Sequence, residues 1–195
     1  MRWSRPLLGL IGAMTLAGCG DLAGILPTAQ PAGPVTRTVA QGGRFITLAG
    51  SRIQHAEPFL GVPGTNFYLL RSMIDRRTGE IVHQLYVEDS YFGAERNWNA
   101  ARDATGQPLR FIAISKNEIT CEGACSYAEE FAAALPETLL RTNPQGLRVI
   151  FTARSGAEKT IAVPGELTAK QLAALGQMRA ALPAAAAAPS PTPQR

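Results

Sequence analysis

Two cysteines lie four residues apart in the second half of this 195-residue chain, in the sequence Cys121-Glu-Gly-Ala-Cys125. Paired thiols support three kinds of chemistry: a structural disulfide, thiol–disulfide exchange, and coordination of a soft metal such as Cu(I). The flanking residues predict two antiparallel strands joined by a tight turn. Residues that face each other across such a ladder have Cα atoms about 5 Å apart, a separation that suits a disulfide.

The sequence favours the structural disulfide over redox or copper chemistry. The C-x-x-x-C spacing superficially resembles that of the copper-delivery proteins of the thioredoxin-like class. In that class the second cysteine is normally followed by proline, and a later histidine supports the site. Here Ser126 follows Cys125, and both histidines, His55 and His83, precede the pair. A thiol-redox or copper-handling protein that uses Cys121 and Cys125 is the alternative hypothesis.

No other combination of residues indicates an active site or a metal centre. His83 alternates with Ile81 and Leu85 in a β-prone run, which is the pattern of a histidine packed in a sheet. The two histidines are not spaced as zinc ligands. The sequence contains no G-x-S-x-G motif, no P-loop and no G-x-G-x-x-G after a strand. We therefore predict no catalytic residue, no metal site and no bound cofactor.

A polar and aromatic stretch over residues 89–108 lies between two predicted strands, and we predict a loop there. Loops of about 20 residues in a compact domain usually carry function. The stretch contains residue types that dominate binding surfaces, and the predicted contact residues are Tyr91, Phe92, Arg96 and Trp98. The alternatives are that the aromatic residues cap the core or that part of the stretch is another strand, since large aromatic side chains are mostly buried.

Runs of β-prone residues bounded by turn residues predict an antiparallel sheet of about five to seven strands. The clearest hairpin is 66–74 with 80–88, because a short connection that ends in Gly79 joins them. The run 126–135 is ambiguous, since its Ala and Glu residues favour helix, and we assign it as a strand that leaves the cysteine turn. The remaining predicted strands are 44–49, 109–115, 147–153 and 159–163.

Two helices are predicted late in the chain. The first lies near 136–142, with Pro136 in its first turn and Asn143-Pro144 beyond its end. The second lies near 168–182 and ends before Pro183, and its apolar residues recur at spacings of three and four. Strands joined by short turns, followed by helices, predict an α+β fold with an antiparallel sheet.

The first 19 residues have the succession of residue types found in an export signal: arginines, about ten apolar residues, then small residues before Cys19. The apolar part is about half of the ~20 residues that a helix needs to cross a bilayer. The ending Leu16-Ala17-Gly18-Cys19 resembles the lipobox of bacterial lipoproteins. That resemblance implies removal of the preceding peptide and diacylation of the Cys19 thiol. An ordinary secretory signal with a chance cysteine is the alternative.

The same resemblance carries an expectation about location. In lipoproteins an Asp directly after the lipidated cysteine tends to retain the protein in the inner membrane. Here Gly20 occupies that position, which implies the periplasmic face of the outer membrane. In an oxidising compartment Cys121 and Cys125 are expected to bond to each other. Without Arg2 and Arg5 the 19 basic residues become 17, against 15 acidic ones, and no basic block remains to predict a nucleic-acid partner.

The predicted organisation is a signal peptide over 1–18, a lipidated flexible tether over 19–39, a single domain over 40–182 and a disordered Pro- and Ala-rich tail over 183–195. Covalent lipid at Cys19 is the only attached group that we expect, and it provides the contact with the membrane. We expect the domain to be a non-enzymatic binding or structural component of the envelope, with another envelope protein or cell-wall material as its partner. A hydrolase whose site geometry matches no known motif is a third hypothesis, after the thiol-redox or copper-handling protein.

Overall fold

A computed structural model describes residues 32–40 and 42–181 of the chain. The strands are β1 (Thr36–Val39), β2 (Phe45–Ala49), β3 (Ile53–Gln54), β4 (Phe67–Asp75), β5 (Ile81–Phe92), β6 (Trp98–Asp103), β7 (Pro108–Leu109), β8 (Phe111–Thr120), β9 (Ser126–Leu135), β10 (Gly146–Ala153) and β11 (Glu158–Pro164). The helices are α1 (Glu137–Thr142) and α2 (Gly165–Ala181), and a 3₁₀ turn covers Phe59–Gly61.

The strands form two antiparallel sheets. The larger sheet has seven strands in the order β1-β2-β4-β5-β9-β8, and β3 pairs with the first residues of β4. The smaller sheet has four strands in the order β11-β10-β6-β7. The predicted antiparallel strands and the two late helices are confirmed, and 126–135 is the strand β9. However, the strands divide between two sheets, and the helices form too small a part of the described chain for a clear α+β fold, so the architecture is mostly β.

The two sheets pack against each other through alternating apolar side chains, as expected for sheets with one buried face. The larger sheet contributes Tyr68, Leu70, Leu85, Val87, Phe131 and Ala133, and the smaller sheet contributes Trp98, Ala101, Val149, Phe151, Ile161 and Val163. The ring of Phe131 lies edge-on to that of Phe151, with 4.9 Å between their centroids. We call the face of the larger sheet that is buried in this way its inner face.

Helix α2 covers the part of the inner face that the smaller sheet does not reach. Leu175 and Met178 pack against Ile46, Leu48 and Ile74 of β2 and β4. The helix begins at Gly165, where an added Cβ would lie 2.1 Å from the backbone oxygen of Pro144, so only glycine fits this approach. Among the described residues no helix is long and apolar enough to cross a membrane.

Strand β8 forms one edge of the larger sheet and is irregular. Its register with β9 shifts at Ile114 and again at Ile119, which is the arrangement of β-bulges. Both isoleucines are exposed, at 40% and 47% respectively. At the opposite edge, β1 has only four residues, and all of them are exposed.

Two predicted boundaries are wrong. The stretch 89–108 is not one loop, because β5 continues to Phe92 and β6 begins at Trp98. Asp89 and Ser90, the polar residues of this stretch that lie in β5, are buried and hydrogen-bonded. The tether predicted for 19–39 extends too far, because Ala32 is buried and Thr36 begins β1. No residue of β1 is buried, so no hydrophobic pattern marks it in the sequence. The predicted lipobox, Cys19 and the tail over 183–195 lie outside the described residues.

Candidate functional site

The hairpin that joins β8 to β9 carries the cysteine pair at its tip. The sulfur atoms of Cys121 and Cys125 are 2.10 Å apart, which is bonding distance, and the Cα atoms are 3.8 Å apart. Cys121 is exposed and Cys125 is half-buried. Within residues 32–40 and 42–181, no group of three or more His, Cys, Asp or Glu side chains is placed to hold a metal ion.

The four predicted contact residues do not form one exposed surface. Tyr91 is 5% exposed and Trp98 is 6% exposed, whereas Phe92 is 53% exposed. Tyr91 and Trp98 therefore cannot be exposed anchors for a partner, because both are part of the buried interior. Phe92 packs on Phe59, with 4.7 Å between the ring centroids. For Phe92 and the half-buried Arg96, a role in contact stays a prediction.

Tyr91, Arg96 and Trp98 instead belong to a network around two buried carboxylates. Asp89 forms ion pairs with Arg96 and Lys159, each with an N···O distance of 2.7 Å. It also accepts a hydrogen bond of 3.0 Å from the indole N–H of Trp98. All the polar partners of this buried acid come from the chain itself, which is the condition under which a buried charge is tolerated.

Glu129 is the second carboxylate of this network. It accepts hydrogen bonds from the hydroxyl of Tyr91 and from the backbone N–H groups of Asn97 and Trp98, the latter two at 3.0 and 3.1 Å. Burial raises the pKa of Tyr91 well above its usual range, and the neighbouring Glu129 adds to the shift, so the phenol stays a donor. The network fixes the connection between β5 and β6 to β9, and it leaves neither carboxylate for chemistry on a substrate.

The buried histidine His83 lies in a row of polar groups that is connected like a serine–histidine–carboxylate triad. The Ser72 Oγ is 2.8 Å from His83 Nδ1, and His83 Nε2 is 3.4 Å from an oxygen of Glu137. Ser72 is completely buried, so a substrate cannot reach its hydroxyl. The hydroxyl also accepts a hydrogen bond of 2.8 Å from the amide of Gln171. The row therefore joins β4, β5, α1 and α2 and does not present a nucleophile.

The charges in this row are balanced within the chain. Burial lowers the pKa of His83, so the neutral imidazole donates from Nε2 to Glu137. Hydrogen bonds from Arg179 and then from Arg141 lower the pKa of Glu137 to about 2. His83, Glu137 and Arg179 border an open cavity of about 490 Å³ that Arg110 also lines. The Glu137 carboxylate in that cavity is already occupied by two guanidinium groups.

The other face of the larger sheet is different, because within the described residues no helix and no second sheet packs on it. We call this its outer face. A groove of about 280 Å³ on it is lined by Thr47, Ala49, Arg52, Phe67, Leu69, Arg71, Tyr86, Ile114 and Glu130. We refer to this site as the outer groove. Its residues come from β2, β4, β5, β8 and β9 and from the segment after β2, so the sheet curves around it.

Two arginines of the outer groove are stacked on aromatic rings. The Arg71 guanidinium lies 4.7 Å from the ring centroid of Tyr86, and that of Arg52 lies 4.5 Å from the centroid of Phe67. Arg71 donates one hydrogen bond, from Nε to the amide oxygen of Gln84 at 2.7 Å. Burial lowers the pKa of Arg71, and burial followed by the nearby Glu130 raises that of Tyr86.

Sequence reasoning missed the outer groove. Its lining residues are spread over more than 80 positions of the sequence, and only the folded sheet brings them together. One weak signal was present: Phe67 and Leu69 alternate along one predicted strand with Tyr68 and Leu70, so both faces of the strand carry apolar residues. Such a strand is buried or half-buried on both faces, which indicates that its second face is also used.

No protein-family model matches this chain, and no curated protein or solved structure is detectably similar to it. The functional argument therefore rests on the residues and on their geometry.

Proposed function

We propose that this chain is a lipid-anchored envelope lipoprotein whose domain binds another envelope component and is not an enzyme. In this proposal Cys19 carries the lipid and holds the domain at the periplasmic face of the outer membrane. The sequence Leu16-Ala17-Gly18-Cys19 behind an export signal supports the anchor. A cysteine pair at bonding distance is consistent with an oxidising compartment.

The outer groove is the observation that carries the binding role. Elsewhere in the described domain, Asp89, Glu129 and Ser72 are the side chains that most resemble catalytic groups, and each already has hydrogen-bond or ion-pair partners within the chain. The outer groove instead combines aromatic and apolar side chains with arginines on a face that no element of the described residues covers. Aromatic and Arg residues supply most of the energy in binding sites. The geometry therefore supports recognition better than catalysis.

Photo-crosslinking in intact cells tests this proposal. A photoreactive benzoylphenylalanine is placed at Tyr86 in the outer groove, and at Thr160 on the exposed side of the smaller sheet as the matched control. We expect membrane-associated adducts from position 86 and none from position 160. In the Cys19→Ser variant, lipid labelling should be lost and the protein should leave the membrane fraction. Equal adducts from both positions, or a lipid label that persists in the variant, would contradict the proposal.

The second candidate is a thiol-redox or copper-handling protein that uses Cys121 and Cys125. The observation that favours it is the exposure of Cys121 at the tip of a hairpin, since exposed disulfides are the ones that tend to exchange. Mass spectrometry of protein taken from the periplasm without reductant separates the two candidates. We expect the fully bonded pair; free thiols that bind one Cu(I) per chain would favour the second candidate.

A further inference from the structure

We infer that the outer groove binds the carboxylate of a peptide chain end, with Arg71 and Arg52 as the two recognition residues. The inference deepens the proposed function, and it rests on that proposal only for the identity of the outer groove as the binding face. Three features of the groove define the ligand: the state of its arginines, its net charge and its size.

The arginines of the outer groove lack the acidic partners that others on the same face have. Arg44 also stacks on an aromatic ring, Phe45, at 4.7 Å, but its guanidinium pairs with Asp75 at 2.7 Å. Among the described residues, neither Arg52 nor Arg71 takes part in an ion pair. Stacking fixes the plane of each guanidinium and leaves its N–H edge for a ligand.

Arg71 is the better placed of the two. Its Nε donates a hydrogen bond to Gln84. Its two terminal nitrogens have no hydrogen-bond partner among the described residues. Burial lowers the pKa of Arg71, and the nearby Tyr86 and Glu130 offset only part of this effect, so the cation is partly desolvated. An anion that accepts from both terminal nitrogens would compensate for the rest. A planar group with two oxygens matches this fork, as carboxylates and phosphates do.

The charge and size of the outer groove favour a carboxylate over a phosphate. Two arginines and Glu130 give the groove a formal charge of about +1, which a carboxylate neutralises and a phosphate monoester, at about −1.5 to −2, exceeds. The groove of about 280 Å³ lies just below the usual ~300 to 1,000 Å³ of small-molecule pockets. It therefore accommodates the end of a chain rather than a cofactor or a long acyl chain. Leu69, Ile114 and Tyr86 provide an apolar wall for the residue that bears the carboxylate.

The direct test uses two small probes and the mature domain with its amino-terminal tether. N-acetyl-alanyl-leucine has a free carboxylate, and its C-terminal amide has the same shape without the charge. We expect the acid to perturb the NMR signals of residues in the outer groove and the amide to bind at least tenfold more weakly, because charge-assisted hydrogen bonds to Arg are lost.

Substitutions locate the effect. Arg71→Gln and, separately, Arg52→Gln should each weaken binding of the acid about tenfold or more, whereas Arg44→Gln should leave it unchanged because Arg44 is already paired with Asp75. Arg52 donates no hydrogen bond to the described chain, so its variant keeps the test informative if Arg71→Gln is unstable. Equal binding of acid and amide, or unchanged binding in both groove variants, overturns the inference. Decanoate that binds tenfold more tightly than the peptide acid would overturn the peptide as the source of the carboxylate.

The outcomes also separate this inference from the proposed function. Adducts at Tyr86 in cells without binding of the peptide acid would leave a binding protein whose ligand is not a chain end. Binding of the acid by the purified domain, without adducts in cells, would support the carboxylate site and contradict the proposed function.

Discussion

Asp89 holds two cations and the indole N–H of Trp98 on its two oxygens, in a position that is only 1% exposed. The positive charges of Arg96 and Lys159 are therefore both neutralised by one carboxylate. Lys159, whose side chain is 18% exposed, is the more buried of the two cations. Its nitrogen also lies 3.2 Å from Nδ1 of His55, where the imidazole accepts a hydrogen bond.

Removing the acid should be costly because it leaves both cations without an acidic partner. We expect Asp89→Ala to lower the free energy of unfolding by about 3–5 kcal/mol, the range for a broken buried pair. Urea denaturation followed by tryptophan fluorescence measures the change. Glu158→Ala is the matched control, because its ion pair with Arg102 is exposed and such pairs contribute only about 0–1 kcal/mol. Losses of similar size in the two variants would argue against a stabilising network at Asp89.

The same network explains why Tyr91 and Trp98, two of the four predicted contact residues, are buried. Tyr91 and Trp98 are aromatic residues in a polar stretch, a composition that favours an exposed binding patch. Their polar atoms are instead satisfied by Glu129 and Asp89, which allows the rings to be buried. The partner acid Glu129 lies 31 positions after Trp98. A pairing at that distance follows from strand order, which local patterns do not specify.

At the level of the elements, Glu137 connects two helices and a strand through its carboxylate. It belongs to α1 and pairs with Arg141 in the same helix, with Arg179 in α2 and with His83 in β5. Its pKa is lowered to about 2, from a usual value near 4.5, mainly by the hydrogen bonds from Arg179. The carboxylate is 25% exposed, so solvent screens part of these interactions.

The depressed pKa of Glu137 predicts a specific dependence of stability on pH. The contribution of Glu137 should be fully present above about pH 4.5 and should be lost as the pH falls towards 2, because the folded state must then take up a proton that the unfolded state has already bound. We expect Glu137→Gln to be less stable than the wild type by about 1 kcal/mol at pH 6 and equally stable near pH 2. Thermal unfolding across this range measures the difference.

A control for this prediction lies on α2, where Glu166 forms an exposed ion pair with Lys170. Glu166→Gln should change stability by no more than a few tenths of a kcal/mol at either pH. His83 has a lowered pKa as well, so its protonation also destabilises the fold as the pH falls below about 6.5. A stability difference between wild type and Glu137→Gln that grows below pH 4 would contradict the assigned role.

Strands with a regular apolar pattern were predictable, and strands without one were not. β4, β5, β10 and β11 carry buried apolar residues at alternating positions and were identified from the sequence. β6 was missed because only Trp98 and Ala101 in it are buried, and its remaining residues are polar or small. The division of the strands into two sheets follows from the pairing of β6 with β10, which lie more than 40 residues apart.

At the scale of the whole domain, the two faces of the larger sheet have different surroundings. The smaller sheet and α2 cover the inner face, and the outer face has no such layer within the described residues. Even so, Ala132 and Gln84 on the outer face are 0% and 7% exposed, and Arg71 of the neighbouring strand donates a hydrogen bond to Gln84. A strand whose sequence is apolar on both faces is thus predicted to be buried on both faces. The pattern does not indicate whether protein or a ligand covers the second face.

The irregular edge strand β8 bears on how identical copies of this chain would associate when they are crowded together. Lipid anchoring would confine the chain to two dimensions, where identical sheet edges meet far more often than in solution. The bulges at Ile114 and Ile119 interrupt the row of backbone donors and acceptors on β8, and Lys116 adds a charge between them. With β1 too short to template a strand, neither border of the sheet can seed a continuous ribbon. If the chain is anchored as proposed, these edges would keep crowded copies on a membrane from polymerising.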